Sequence, residues 1–147
     1  MKNILLLTLL TTALSFATLS QAADATLEAS AKEPGAVVTA SGLVYNSLKN
    51  GTGDSPKASD TVKVNYRGTF PDGKEFDSSY KRNKAIEFPL QNVIPCWTEG
   101  VQRMKVGGKA KLTCPAAIAY GSRGAGGVIP PNATLLFEVE LLAINGK

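Results

Sequence analysis

Histidine is missing from all 147 residues of this chain. Its absence removes Ser-His-Asp and Cys-His nucleophile chemistry, HExxH zinc sites and imidazole acid/base work together. Cysteine is scarce: Cys96 and Cys114 are the only two, too few for a four-ligand zinc site without histidine. Charge is sparse as well, with 16 Lys and Arg against 12 Asp and Glu for a net of +4. The basic residues, among them Lys63, Arg67, Lys74, Lys81, Arg82, Lys105, Lys109 and Lys111, are scattered. They form no stripe interleaved with aromatics, which argues against nucleic-acid binding. Whatever chemistry occurs is expected to need no metal and no cofactor. What the chain does have is a hydrophobic fraction of 44% against 19% charged residues, enough to pack a core in one domain.

The N-terminus reads as an export signal. Lys2 supplies the positive start, Ile4–Leu19 is apolar except for small hydroxyl residues, and Ser20-Gln21-Ala22 offers the small residues a signal peptidase reads. Cleavage is expected after Ala22, with Ala23-Asp24-Ala25 as a second site and a retained membrane anchor as the competing reading. A periplasmic or secreted, oxidising destination follows, with no stable membrane anchor. Residues 23–39, broken by Pro34-Gly35, read as an irregular, mobile lead-in. The folded domain is expected over 40–147.

Within that domain Leu43–Leu48 reads as a strand, ended by the turn-rich Asn50–Pro56. Val62, Val64 and Tyr66 alternate with Lys63, Asn65 and Arg67, the period of a half-buried antiparallel strand. Pro71–Lys74 is a turn, and Glu75-Phe76-Asp77 resumes extended structure. Pro95 suits the first position of a helix whose apolar face is Trp97, Val101 and Met104, ending at Gly107-Gly108. Ala110, Leu112 and Cys114 alternate again. After the Gly/Pro-rich loop Gly121–Pro131, a last strand carries Leu135, Phe137, Val139 and Leu141 on one face. About five strands and one short helix give an α+β fold, an antiparallel sheet wrapping the helix.

Several pieces of the chain, in order, resemble the FKBP-type isomerase family. They are Val64-Asn65-Tyr66-Arg67-Gly68, Asp72–Ser79, Val93–Val101, Ala119-Tyr120-Gly121 and Ile129–Leu135. The resemblance implies a five-stranded antiparallel half-barrel clasping the helix, with a shallow apolar pocket between them. It places Tyr66, Phe76, Asp77, Ile86, Phe88, Val93, Ile94, Trp97, Tyr120, Ile129 and Phe137 in that pocket. Trp97 would be the floor, Phe76, Phe88 and Phe137 the walls, and Asp77 the one charged group at the rim. The Ile94 N–H and the Tyr120 hydroxyl would hold substrate carbonyls. Ile86 stands where many relatives carry phenylalanine, Ala125 where a larger side chain is common, and Cys96 where glycine is usual.

The implied activity is peptidyl-prolyl cis/trans isomerisation of unfolded or folding exported proteins with X-Pro bonds, by a monomer that macrolides such as rapamycin would inhibit. Two other readings remain. One is a holding chaperone that binds unfolded segments without catalysis, and the other is a non-catalytic binding module. Cys96 begins the helix and Cys114 ends the strand after it, so in an oxidising compartment the two are expected to form a disulfide. Two thiols that only pack as small hydrophobes are the alternative.

Overall fold

A computed structural model describes residues 19–147. The expected export signal lies outside these residues up to position 18, and the expected cleavage point after Ala22 falls within a helix, α1 (Leu19–Ala31). The segment read as irregular therefore has regular secondary structure. It forms α1 and then β1 (Ala36–Val38), which pairs antiparallel with β2 (Val44–Lys49) in the register Ala36↔Asn46. Tertiary contacts hold this segment down. Buried Ser30 and Thr113 share a hydrogen bond between their hydroxyls at 2.9 Å. Lys111 donates to Glu33 at 2.5 Å, and Asn46 donates to the other Glu33 carboxylate oxygen at 3.3 Å. A helix anchored through serine and a following glutamate leaves almost no hydrophobic period to read.

The remaining elements are β3 (Thr61–Thr69), β4 (Glu75–Ser78), β5 (Ile86–Pro89), α2 (Pro95–Gln102), β6 (Lys109–Cys114) and β7 (Leu135–Ile144). All strands pair antiparallel in one sheet ordered β1-β2-β6-β7-β3-β4. The first half of β3 also pairs with β5, Val62 opposite Phe88 and Val64 opposite Ile86. The fold is the expected α+β arrangement, with seven strands rather than about five because β1 and β5 join the edges. The alternation in β3 buries Val62, Val64 and Tyr66, and that in β7 buries Leu135, Phe137, Val139 and Leu141. Each fully buried leucine or valine contributes about 1.5–3 kcal/mol.

Helix α2 packs into this concave face through Cys96, Trp97 and Val101. It is shorter than its sequence pattern suggests. Pro95 starts it as expected, but Arg103 N–H turns back to Gly100 O, and Met104 is buried from the following turn, not from the helix. Cys96 and Cys114 are joined as a disulfide, their α-carbons 5.9 Å apart. The link ties the first turn of α2 to the end of β6.

Candidate active site

Trp97, in the first turn of α2, is only 4% exposed. Three rings stand nearly upright on it: Tyr66 at 5.2 Å and 83°, Phe88 at 5.8 Å and 82°, and Phe137 at 5.4 Å and 89°. Edge-to-face pairs of this kind are worth about 0.5–1.5 kcal/mol each beyond simple burial. Phe76 from β4 meets Phe137 at 5.7 Å and 86° and leans on Phe70 at 4.9 Å. Gly68 in β3 makes room for this wall, since a Cβ there would lie 2.5 Å from Phe76 Cζ and 3.1 Å from Phe137. The result is a hollow of about 300 Å³ with an indole floor and phenyl walls.

The structure brings nine of the eleven expected residues to this hollow: Tyr66, Phe76, Asp77, Phe88, Val93, Ile94, Trp97, Tyr120 and Phe137. Ile86 and Ile129 do not line it. Ile86, two residues before Phe88 on β5, lies instead in a separate cleft with Lys63, Arg82 and Lys84, and Ile129 is buried in a bridge to Ala125 within the loop before β7. Asn92 lines the hollow without having been anticipated. It lies in the short helical turn Leu90–Asn92, whose sequence carries no mark of the site.

Polarity is confined to a few groups. The Tyr66 hydroxyl donates to Asp77 at 2.5 Å, and Arg82 closes a triangle, donating to Asp77 at 2.5 Å and to the Tyr66 oxygen at 3.0 Å. Burial pushes the Asp77 carboxyl up, but the Tyr66 and Arg82 hydrogen bonds, the Arg82 charge and the Ser78 N–H outweigh it, leaving it below the ordinary aspartate range. Tyr66 is raised, first by burial and then by its bond to Asp77. Ser79, fully buried, holds the strand end in place by accepting from Tyr66 N–H at 2.8 Å and donating its own N–H to Tyr66 O at 3.0 Å. In the sequence Arg82 reads only as one scattered cation. Its position five residues beyond Asp77 signals nothing until the turn after β4 folds it back.

Among the described residues, several donors at the hollow stand without partners. The Ile94 N–H and the Tyr120 hydroxyl make no hydrogen bond among the described residues, and both residues line the hollow. The Trp97 indole N–H is buried and also unpaired. Tyr120 is 40% exposed, placing it at the mouth. No cluster of metal-ligating side chains occurs among the described residues.

Residues 53–142 match the family model described as FKBP-type peptidyl-prolyl cis-trans isomerase. The chain belongs to that family. It is 57% identical over 118 residues to the FKBP-type isomerase FkpA of Aeromonas hydrophila, covering 80% of this chain and 44% of that protein. Against FkpA of Escherichia coli K12 it is 54% identical over 114 residues, covering 78% and 42%. It therefore spans less than half the length of these curated FKBP-type relatives. The crystal structure of Escherichia coli FkpA superposes with a TM-score of 0.81 at 51% identity, over 83% of this chain and 57% of that one. A peptidyl-prolyl isomerase from Pseudomonas syringae pv. tomato gives 0.78 at 39% identity, over 84% and 91%.

Proposed function

We propose that this chain is a working peptidyl-prolyl cis/trans isomerase whose reaction centre is the hollow over Trp97. The observation that carries the reading is an aromatic enclosure in which the one carboxylate, Asp77, is already occupied by Tyr66 and Arg82. Twisting an X-Pro amide crosses a barrier of roughly 18–20 kcal/mol. The planar amide is the more polar form and gains more from water than the twisted one. Moving the bond into an apolar site therefore narrows the gap between them, which is selective binding of the transition state. No proton, metal or covalent intermediate is required. Trp97 underlies the proline ring, Phe76, Phe88 and Phe137 enclose it, and the unpaired Ile94 N–H and Tyr120 hydroxyl receive the flanking carbonyls. The apolar walls favour an apolar residue before the proline, and a macrolide of the rapamycin kind competes for the same space.

The test is an isomerisation assay on short X-Pro peptides with the purified chain. Acceleration over buffer is expected, with Phe76→Ala and Tyr120→Phe lowering the rate by about tenfold. That rate loss corresponds to ~1.4 kcal/mol. Because the Tyr120 hydroxyl bonds nothing among the described residues and the side chain is 40% exposed, its change should leave stability within about 0.5 kcal/mol. A folded chain that binds such peptides without accelerating them returns the holding-chaperone reading.

Export belongs to the same proposal. Cleavage after Ala22 yields a protein beginning Ala23-Asp24-Ala25, which N-terminal sequencing checks directly. Among the described residues no helix is long and apolar enough to cross a membrane.

A further inference from the structure

The loop after β2 and the loop between α2 and β6 brace one another. The N–H groups of Thr52 and Gly53 both donate to Val106 O, at 3.2 and 3.1 Å, and Val106 N–H donates to Asp54 O at 3.0 Å. Gly51 sits at the crossing, where a Cβ would collide with the carbonyl oxygens of Lys105 and Val106. Beside this brace lies a second hollow, of about 270 Å³, that shares no lining residue with the aromatic one.

Lys49, Arg103, Lys105 and Lys109 all line it, and no acidic side chain does. Of the four, only Lys109 has an ion pair, with Glu138 at 3.6 Å. Lys49, Arg103 and Lys105 have no acidic partner within ion-pair distance among the described residues. Glu99 feels the charge of Arg103 but accepts its hydrogen bond from Ser41 at 2.6 Å. Asn50 adds a neutral donor: its Oδ1 accepts from Ser47 at 2.9 Å, which leaves its amide nitrogen without an intramolecular partner. Like charges gathered on a braced backbone repel one another, and an anion among them removes that repulsion.

We propose that this cleft binds a compact, multiply charged oxyanion of the phosphate monoester class. Its lining is Lys, Arg, Ser and Asn side chains with Tyr45 and Met104 as the apolar neighbours, so a charged head group suits it better than an apolar segment. A phosphate monoester carries about −1.5 to −2 charges and three acceptor oxygens, and so can engage a guanidinium and several ammonium groups at once. A carboxylate carries a single charge. The ligand is either a soluble phosphate ester or the phosphate of a lipid head group.

The experiment is an amide NMR titration of the intact chain with inorganic phosphate, against acetate at matched ionic strength. Saturable shifts confined to residues 45–51 and 103–109 are expected with phosphate but not with acetate. Lys49→Gln combined with Lys105→Gln should weaken binding by about tenfold or more, while the remaining amide spectrum reports an intact fold. Cosedimentation with vesicles containing phosphatidic acid, compared with pure phosphatidylcholine, then separates the sources. Retention on the acidic vesicles assigns the lipid phosphate, and phosphate binding without retention assigns the soluble ester. Unsaturable shifts spread over all surface lysines, equal response to acetate, or undiminished binding by the double variant overturns the proposal.

Discussion

The two hollows of this domain are nearly equal in volume, about 300 and 270 Å³, and opposite in chemistry. The aromatic one has a carboxylate at its rim, and that carboxylate is neutralised by Arg82 and Tyr66 before any substrate arrives. The basic one has four cations, three of them without an ion-pair partner among the described residues. One is suited to a ligand that gains by losing water, the other to a ligand that brings charge. Their scaffolds differ in the same way. Rings packed edge-to-face hold the first, so side chains determine its shape. Backbone hydrogen bonds across Gly51 hold the second, so its side chains remain free to reach.

The most forceful way to break this contrast is Trp97→Ala. Removing a buried tryptophan from under three rings should cost about 3–5 kcal/mol, read by urea unfolding, and abolish isomerisation. The phosphate shifts at residues 45–51 and 103–109 should persist below the unfolding transition. A loss under about 1 kcal/mol, far below the usual cost of such a truncation, would mean that the floor does not support the walls.

Replacing both cysteines by alanine probes the support beneath that floor. The link closes a loop with a sequence separation of 18, for which chain-entropy reasoning gives about 3 kcal/mol. The aromatic hollow should loosen and the basic one should not, because Cys96 immediately precedes Trp97. Mass measurement of the alkylated, unreduced chain checks the link itself: two alkyl groups would show free thiols.

The smallest effect concerns pH. Asp77 titrates below its unfolded value of about 3.9, so it contributes stability above that value and loses it as pH falls through the folded one. The melting temperature of the native chain should exceed that of Asp77→Asn at pH 7, with the gap closing below about pH 4. A gap unchanged at low pH would show that the triangle with Arg82 and Tyr66 does not depend on the charge of Asp77.

Much of this was legible in the sequence wherever one residue type repeats at a fixed period. β3 and β7 announce themselves because every second residue is apolar and the buried face is continuous. The floor and walls were legible through family resemblance, since Trp97, Phe76 and Tyr120 stand in a specific order. What escaped depends on partners remote in the chain. Helix α1 is held by Ser30 on Thr113 and is followed by Glu33 on Lys111, contacts with no period. Arg82 reaches Asp77 and Tyr66, and Asn92 the hollow itself, only because of the turns that carry them. The cluster of Lys49 with Arg103, Lys105 and Lys109 was invisible for the same reason, as two loops about fifty residues apart must cross first.

Strand β7 follows every other strand along the chain, yet it lies in the interior of the sheet, between β6 and β3. Its residues from Leu136 to Ile144 pair with β3, with one register shift, and Leu135–Glu140 pair with β6. A chain emerging N-terminus first, from a ribosome or through a narrow translocation pore, therefore has two half-sheets with no common middle until β7 is out. Pairing across such sequence distances is intrinsically slow. The domain is thus threadable until its last strand arrives, and the floor and wall of the aromatic hollow, Trp97 from α2 and Phe137 from β7, meet only at that moment.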